Sequence, residues 1–301
     1  MKFVKFFSIA AVALLISGCG SDTKKKFVDD TMPQEETTHI VKGKLADINE
    51  SNQDVVLSSA LNMFTIDQSI ENGVNARLTN DAIDTLDTNR AIKLAISKRE
   101  TSYDCTKGKA TVDDHGNGEN KDVDVKFENC EFYNGLIYDG VIHYNSVVDE
   151  KHMDANFHNF KISLKDKVVF FEKADLKLDG DKSYVKLTGY AKDGNKSQQF
   201  KDFIVKEEKD LDIINFNANG SLATSCINNE WLDINTTKTI EQNITKDCPE
   251  AGTVEIKGKN DTLTIKYKSD ESIDIYLDGN ITRTYNSCEE MAEDAGSECE
   301  K

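Results

Sequence analysis

Apolar and polar residues alternate strictly in the C-terminal third of the chain. Residues 254–257, 263–267 and 273–277 each place an apolar side chain at every second position, and turn-forming residues stand between these runs. Successive side chains of a β-strand point to opposite faces of the sheet, so this period predicts strands with one buried and one solvated face. We therefore predict antiparallel hairpins over this region.

A weaker form of the same alternation extends further back along the chain. The additional candidate strands are residues 123–127, 140–148, 153–164, 168–178, 185–187, 199–206 and 211–217. Turn sequences with a central glycine, at 179–181 and 193–195, separate several of them. We predict a mainly β fold over 105–301, built as an antiparallel meander, a sandwich or an open barrel-like sheet. Two subdomains, 105–220 and 221–301, are an open alternative.

Between residues 46 and 104 the hydrophobic period is that of a helix. Val56 and Ala60, with apolar neighbours, follow the spacing of one buried helical face. A second, weaker helical pattern covers 81–98, and residues 287–293 have the pattern of a short capped helix. We predict a small N-terminal helical segment within 46–104 that packs on the β region.

The first nineteen residues have the layout of a secretory signal. Two lysines precede an apolar run at residues 6–16, which is shorter than the roughly 20 apolar residues that cross a membrane. Residues 16–19, Ile-Ser-Gly-Cys, resemble the lipobox of bacterial lipoproteins. The resemblance implies a signal peptide at 1–18 that is removed, with diacylglycerol and a palmitate-like acyl chain attached to Cys19.

Lipidation of Cys19 is expected to tether the protein to a membrane. Two or three acyl chains hold firmly, since each buried methylene contributes about 0.8 kcal/mol. Gly20 stands where an Asp often retains Gram-negative lipoproteins at the inner membrane, so the resemblance implies the outer membrane, with either the periplasmic or the surface face open. Residues 19–45 are polar and carry mixed charges, which predicts a lipidated flexible tether.

Charge and cysteine content narrow the function classes. The chain has 54 acidic and 37 basic residues and a net charge of −17, which repels phosphate backbones and excludes nucleic acid as a partner. Besides Cys19 there are six cysteines, an even number that predicts disulfides in an exported protein. These disulfide candidates are Cys105, Cys130, Cys226, Cys248, Cys288 and Cys299. Their connectivity is open, but pairing of sequence neighbours is favoured because it closes modest loops, and it predicts a Cys226–Cys248 bridge.

Catalytic and metal-binding signals are weak. The sequence has no nucleophile elbow, no zinc-protease helix motif, no phosphate loop and no dinucleotide glycine pattern, and we predict no resident cofactor or metal. His143, His152 and His158 lie in strand regions and are interpreted as surface histidines rather than metal ligands. Residues 113–118 have some oxygen ligands of a calcium loop, but His115 at the third position favours a plain hairpin loop.

Two aromatic residues suggest a sugar-binding surface. Trp231 and Tyr133 have ring faces that can pack on a sugar, although aromatic residues half-buried in a sheet are the more ordinary interpretation.

The cysteines and turn residues between about 103 and 290 are similar to those of a set of uncharacterised proteobacterial lipoproteins and exported proteins. The similarity rests on Phe127-Glu128-Asn129-Cys130, Asn134-Gly135, Gly140, Ser225-Cys226-Ile227, Trp231, Thr236-Thr237, Cys248-Pro249 and Gly252. These positions are structural. The resemblance therefore implies a β fold stapled by disulfides and adds nothing on activity.

Two functions are consistent with these patterns. The first, which we favour, is a non-enzymatic, lipid-anchored protein of the cell envelope that binds a protein or glycan partner or has a structural role. The alternative is a lipid-anchored hydrolase of envelope or extracellular polymers that uses carboxylate catalysis. Acidic residues are so numerous that the sequence singles out no catalytic pair.

Overall fold

In the part of the chain that the structure describes, fourteen antiparallel strands form one sheet in which the strand order follows the chain from first to last. The computed structural model describes residues 39–64, 102–103, 105–116, 120–133, 135–147, 152–165, 167–194, 196–246 and 248–296. Within them, strands β1–β14 are Ser102–Tyr103, Lys107–Asp114, Asn120–Tyr133, Leu136–Val147, His152–Leu164, Lys167–Asp179, Lys182–Asp193, Lys196–Asp210, Ile213–Thr224, Trp231–Asn243, Ala251–Lys257, Thr262–Tyr267, Ile273–Leu277 and Asn280–Tyr285. Helix α1 is Gln53–Phe64, helix α2 is Cys288–Gly296, and a 3-10 turn covers Ser225–Ile227.

The prediction of a mainly β, antiparallel meander with a small N-terminal helix is confirmed. Strand β9 crosses the suggested subdomain boundary at residue 220 and pairs with β8 on one side and β10 on the other, so the sheet is continuous there. The predicted helix over 81–98, like the signal peptide at 1–18, lies outside the described residues. The predicted C-terminal helix is present as α2.

One face of the sheet, called here the inner face, carries the hydrophobic core. Its centre is a cluster of aromatic rings whose centroids lie 5.4 to 6.5 Å apart. The cluster consists of Phe127, Tyr138, Phe157, Phe160 and Phe171. The core also takes in the buried side of helix α1, at Val56, Leu57 and Ala60.

A line of bulges crosses the sheet through this aromatic cluster. Phe157 and Phe160 are both buried although they are three positions apart, because Asn159 adopts a positive φ of 45° and resets the alternation. The glycine opposite is required, since a Cβ on Gly140 would lie 2.2 Å from the Asn159 carbonyl oxygen. Similar register shifts occur on β3, β6 and β8. Bulges bend strands and increase their twist, so this line curves the inner face around the core.

Helices α1 and α2 are joined to the last strand by one arginine. Arg283 on β14 donates from Nη2 to Asp54 Oδ2 of α1 at 2.7 Å, and its Nη1 bonds Asp294 of α2. Hydrogen bonding to Tyr285 raises the pKa of the Arg283 guanidinium, and the facing carboxylates raise it further. The arginine therefore fixes the N-terminal helix to the C-terminal end of the sheet.

Two disulfides staple the described chain, and a fifth cysteine is also bonded. Cys105 pairs with Cys130, as neighbour pairing predicts, but Cys248 pairs with Cys288, so the predicted Cys226–Cys248 bridge is wrong. The meander brings the β10–β11 loop next to the start of α2, 40 residues further on, and this proximity decides the pairing. Cys226 is disulfide-bonded as well. The candidates Cys19 and Cys299 lie outside the described residues.

Candidate binding groove on the outer face

The outer face of the sheet, opposite the core, is partly covered by the N-terminal chain. Residues 39–48, called here the strap, run beside β10 and pair with it. The Trp231 amide donates to the Lys44 carbonyl at 2.8 Å, and the Ala46 amide donates to the Trp231 carbonyl at 2.9 Å. The polar sequence of residues 39–45 predicts a flexible tether, whereas in the structure these residues pack on the sheet.

Apolar contacts hold the strap against the aromatic side chains beneath it. Ile40 and Leu45 pack with Trp231, Tyr190 and Ala223 in a small cluster separate from the main core. Trp231 is only 3% exposed, so it lies under the strap and not on an open sugar-binding surface. Burial raises the pKa of the Tyr190 hydroxyl.

Polar contacts tie down both ends of the covered region. Lys42 Nζ donates to both carboxylate oxygens of Asp233 at 2.5 and 2.6 Å. At the start of the strap, His39 Nδ1 and the Ile40 amide each lie 2.8 Å from one oxygen of Glu172. Burial alone would raise the pKa of the Glu172 carboxyl, but hydrogen bonds from His39 and Ile40 outweigh it and lower that pKa.

Beyond the strap, the outer face of strands β6 to β10 is open and forms a polar groove. Its volume is about 640 Å³. The sheet register arranges its lining in two transverse rows. The first row is Lys177, Tyr184, Lys206, Asn217 and Thr239, and the second row is Asp179, Lys182, Glu208, Asn215 and Glu241.

The two rows differ in how their charges are satisfied. In the second row Lys182 Nζ lies 2.9 Å from Glu208 Oε1, and this hydrogen bond raises the pKa of the lysine. Asp179 lies 2.9 Å from His152 Nε2. In the first row, Lys206 forms no ion pair with any described residue. The lysine of the second row is therefore paired with a carboxylate, whereas Lys206 of the first row offers an ammonium group that no described carboxylate pairs with.

The first row combines groups that recognise hydroxyl-rich ligands. Asn217 lines the groove, and its side-chain oxygen accepts from the Thr239 hydroxyl at 3.2 Å, so its amide nitrogen remains as a donor. Tyr184 adds a ring surface with a phenolic hydroxyl, and Lys206 adds three donors. An aromatic surface beside convergent donors can pack against a sugar ring and bond its hydroxyls.

The histidines do not converge. His143 Nδ1 lies 2.8 Å from Asp124, His152 pairs with Asp179, and His158 is exposed elsewhere on the sheet. Among the described residues there is no cluster of three or more His, Cys, Asp or Glu side chains that could hold a metal ion.

Residues 113–118, which have some features of a calcium loop, lie at the end of β2 and in its connection to β3. His115 Nε2 is 3.6 Å from Asp113 and 3.5 Å from Asp124. The histidine therefore contacts one carboxylate on its own side of the hairpin and one on the facing strand. The tip of this connection, residues 117–119, lies outside the described residues, as does the side chain of Tyr133.

No sequence pattern identifies Tyr184, Lys206 or Asn217 as site residues. Each occupies an alternate position on a predicted or nearly predicted strand, which indicates a solvated face and nothing more. Only the register between β7, β8 and β9 shows that the three are direct neighbours.

The described residues contain no helix that is both long and apolar enough to cross a membrane. The chain matches no protein-family model, no curated protein and no solved structure. Of the resemblance noted from the sequence, the disulfide-stapled strands are present in the structure.

Proposed function

We propose that this protein is a non-enzymatic, lipid-anchored protein of the outer membrane that binds an extended glycan of the cell envelope in the outer-face groove. The observation that supports the proposal best is the first row of the groove, where the uncompensated Lys206 ammonium stands between the Tyr184 ring and the Asn217 amide.

The shape of the groove suits a chain-like ligand. The first row crosses five neighbouring strands, and a strand spacing of about 4.8 Å gives it a length of about 19 Å. Several sugar units lying across the strands would meet the groups of the row in turn. An acidic or phosphorylated glycan would also neutralise Lys206.

Two of the groove carboxylates have partners on neighbouring strands. Glu208 accepts from Lys182 on β7, and Asp179 lies 2.9 Å from the His152 ring nitrogen on β5. A carboxylate poised for acid–base catalysis is instead expected in a dry pocket that shifts its pKa.

The proposed anchor is compatible with the position of the strap. Nineteen residues separate Cys19 from His39, where the strap begins beside Glu172. Twenty extended steps reach at most about 70 Å, so the anchor leaves the groove free to face envelope polymers at a range of heights.

The direct test is glycan binding by the purified, lipidated protein in detergent. A panel of envelope polysaccharides and peptidoglycan fragments identifies the ligand, and titration calorimetry then compares variants. We expect Tyr184→Ala to weaken binding at least tenfold and Lys206→Ala to weaken it and reduce its salt dependence. Lys266→Ala is the matched control, because Lys266 is also an exposed strand lysine without an ion pair to a described residue.

Two results would contradict the proposal. One is a panel in which nothing binds, or in which Lys206→Ala and Lys266→Ala bind equally well. The other is turnover of a polymer that disappears when one groove carboxylate is replaced, which would make the hydrolase alternative correct.

A further inference from the structure

Among the described residues, three large aliphatic side chains lie exposed at one end of the sheet. Leu211 is 86% exposed, Ile244 is 48% exposed and Ile213 is 40% exposed. Leu211 and Ile213 belong to the β8–β9 hairpin, and Ile244 begins the β10–β11 connection. The Ile244 amide donates to the Asp212 carbonyl at 2.9 Å, so the two connections form one unit. We call these three residues the aliphatic tip.

The fold does not require leucine at the head of this hairpin. Leu211 has a φ of +53°, a left-handed conformation that Gly, Asn and Asp adopt readily and leucine adopts at a cost. At the opposite end of the sheet, the β5–β6 turn places Lys165 at a φ of +57°, and that residue is polar and exposed. A leucine that is both strained and solvated at the tip points to a contact outside the chain.

We infer that the aliphatic tip inserts into the interfacial region of the membrane to which Cys19 anchors the protein; the inference rests on the anchoring proposed above. The strap begins at Glu172 on β6, seven residues before the end of that strand, a distance of about 23 Å along the sheet. Nineteen residues between Cys19 and His39 span this distance with length to spare.

The charges around the tip select the kind of lipid surface. Asp210 and Asp212 flank Leu211, and the whole chain carries a net charge of −17. An anionic surface would repel this end of the sheet, whereas the ammonium group of a phosphatidylethanolamine headgroup can pair with the two aspartates. The tip therefore fits a zwitterionic, ethanolamine-rich surface.

Membrane contact at the tip also places the groove. Lys206 on β8 lies five residues before Leu211, about 17 Å along the direction of the strand. A glycan in the groove is therefore close to the lipid headgroups, so the ligand class becomes a membrane-proximal glycan.

The test places a tryptophan beside the tip without altering it. Asp181 in the β6–β7 turn is exposed, and its backbone carbonyl accepts from the Lys209 amide at 2.9 Å. Asp181→Trp therefore puts the reporter next to the tip. The one native tryptophan, Trp231, is 3% exposed and supplies a constant background. The lipidated variant is reconstituted in phosphatidylethanolamine and phosphatidylcholine vesicles with lipids brominated near the headgroup.

We expect bromolipid quenching to remove at least half of the added Asp181→Trp emission. Lys165→Trp, at the opposite end of the sheet, is the matched control and should be unquenched. Adding Leu211→Ser and Ile244→Ser to the Asp181→Trp protein should abolish the quenching, and so should replacing the ethanolamine lipid by an anionic one.

Equal quenching at positions 181 and 165, or quenching that survives the two serine substitutions, overturns the inference. The inference is also overturned if the reporter is shielded in detergent and the mass of the protein is doubled, because a second copy of the chain then covers the tip. Fatty-acid labelling of Cys19 tests the anchor, and glycan titration separately tests the groove. Failure of the anchor, which removes the premise, is therefore distinguishable from failure of the groove or of the tip.

Discussion

Strand β7 carries two tyrosines on the outer face that have opposite environments. Tyr190 lies beneath the strap, packed in the cluster of Ile40 and Trp231, and its hydroxyl has a pKa raised by burial. Tyr184, six residues earlier on the same strand and face, lines the open groove. The strand and the residue type are the same at both places. The difference comes from the ten residues of the strap, which convert one end of a solvated face into a second, small core.

The ion pairs of the two regions differ in the same way. Beneath the strap, Asp233 of β10 accepts from Lys42 twice and from the Ser221 hydroxyl at 2.6 Å, so the position of its carboxylate is fixed by several partners. In the groove, Lys182 and Glu208 meet as one contact between mostly exposed side chains. The strap pair is therefore part of the fold, whereas the groove pair is a single solvent-exposed contact.

The largest expected effect is on stability, from truncating the residue under the strap. Trp231→Ala should lower the free energy of unfolding by about 3–5 kcal/mol, because it removes a buried indole and leaves the strap without its apolar contact. Tyr184→Ala should lower it by about 1 kcal/mol or less. Denaturant unfolding with the disulfides intact measures both, and similar losses would mean that the two regions do not differ as described.

A smaller effect is expected from the ion pairs. A double-mutant cycle on Lys42 and Asp233 should give a coupling energy of about 1 kcal/mol, since the pair is part-buried and doubly hydrogen-bonded. The same cycle on Lys182 and Glu208 should give no measurable coupling, because solvent screens an exposed pair. Coupling that is larger in the groove than in the strap would reverse the comparison.

Leu211→Asn should stabilise the protein slightly. Asparagine adopts the left-handed conformation more readily than leucine, so the free energy of unfolding should rise by about 0.5–1 kcal/mol. Leu211→Lys, which copies the residue of the β5–β6 turn, should leave stability unchanged. Loss of stability in both variants, measured by thermal unfolding, would show that Leu211 serves the fold rather than an external contact.

The smallest expected effect is local and depends on pH. The folded state lowers the pKa of Glu172 below its ordinary value of 4.5, so its contribution to holding the strap is present above that value and is lost as the pH falls through the lowered pKa. Hydrogen exchange of the Ile40 amide, corrected for intrinsic rates, should therefore accelerate below pH 4.5 relative to the Ala46 amide, which bonds the Trp231 carbonyl. Glu172→Gln should remove this pH dependence. An unchanged dependence in Glu172→Gln would mean that another group holds the strap.

Much of the sheet is predictable from alternation, but the interruptions are not. The runs around Val254 and Ile265 alternate in sequence and in burial alike. Phe157 and Phe160 are both buried although they are three positions apart. The alternation in the sequence is therefore interrupted at the place where the strand has a bulge. The bulge exists because the facing strand offers Gly140, and that partnership is not visible along one strand.

The candidate site was less predictable than the fold. Of the two aromatic residues that suggest a sugar surface in the sequence, Trp231 is covered by the strap, and Tyr184 lines the open groove instead. The polar character of residues 39–45 predicts a tether, and the two apolar residues that pack there are too few to stand out from their neighbours.

The sequence by itself determined the β class, the position of most strands, both described helices and the presence of disulfides, because these follow from local period, turn residues and cysteine number. The tertiary structure alone decided which strands are neighbours, which cysteines meet and which half of the outer face is covered. The physical reason is that a period of two specifies the face of a side chain but not its partner across the sheet. Partners depend on register, and the rows of the groove, the strap and the aliphatic tip are all consequences of register.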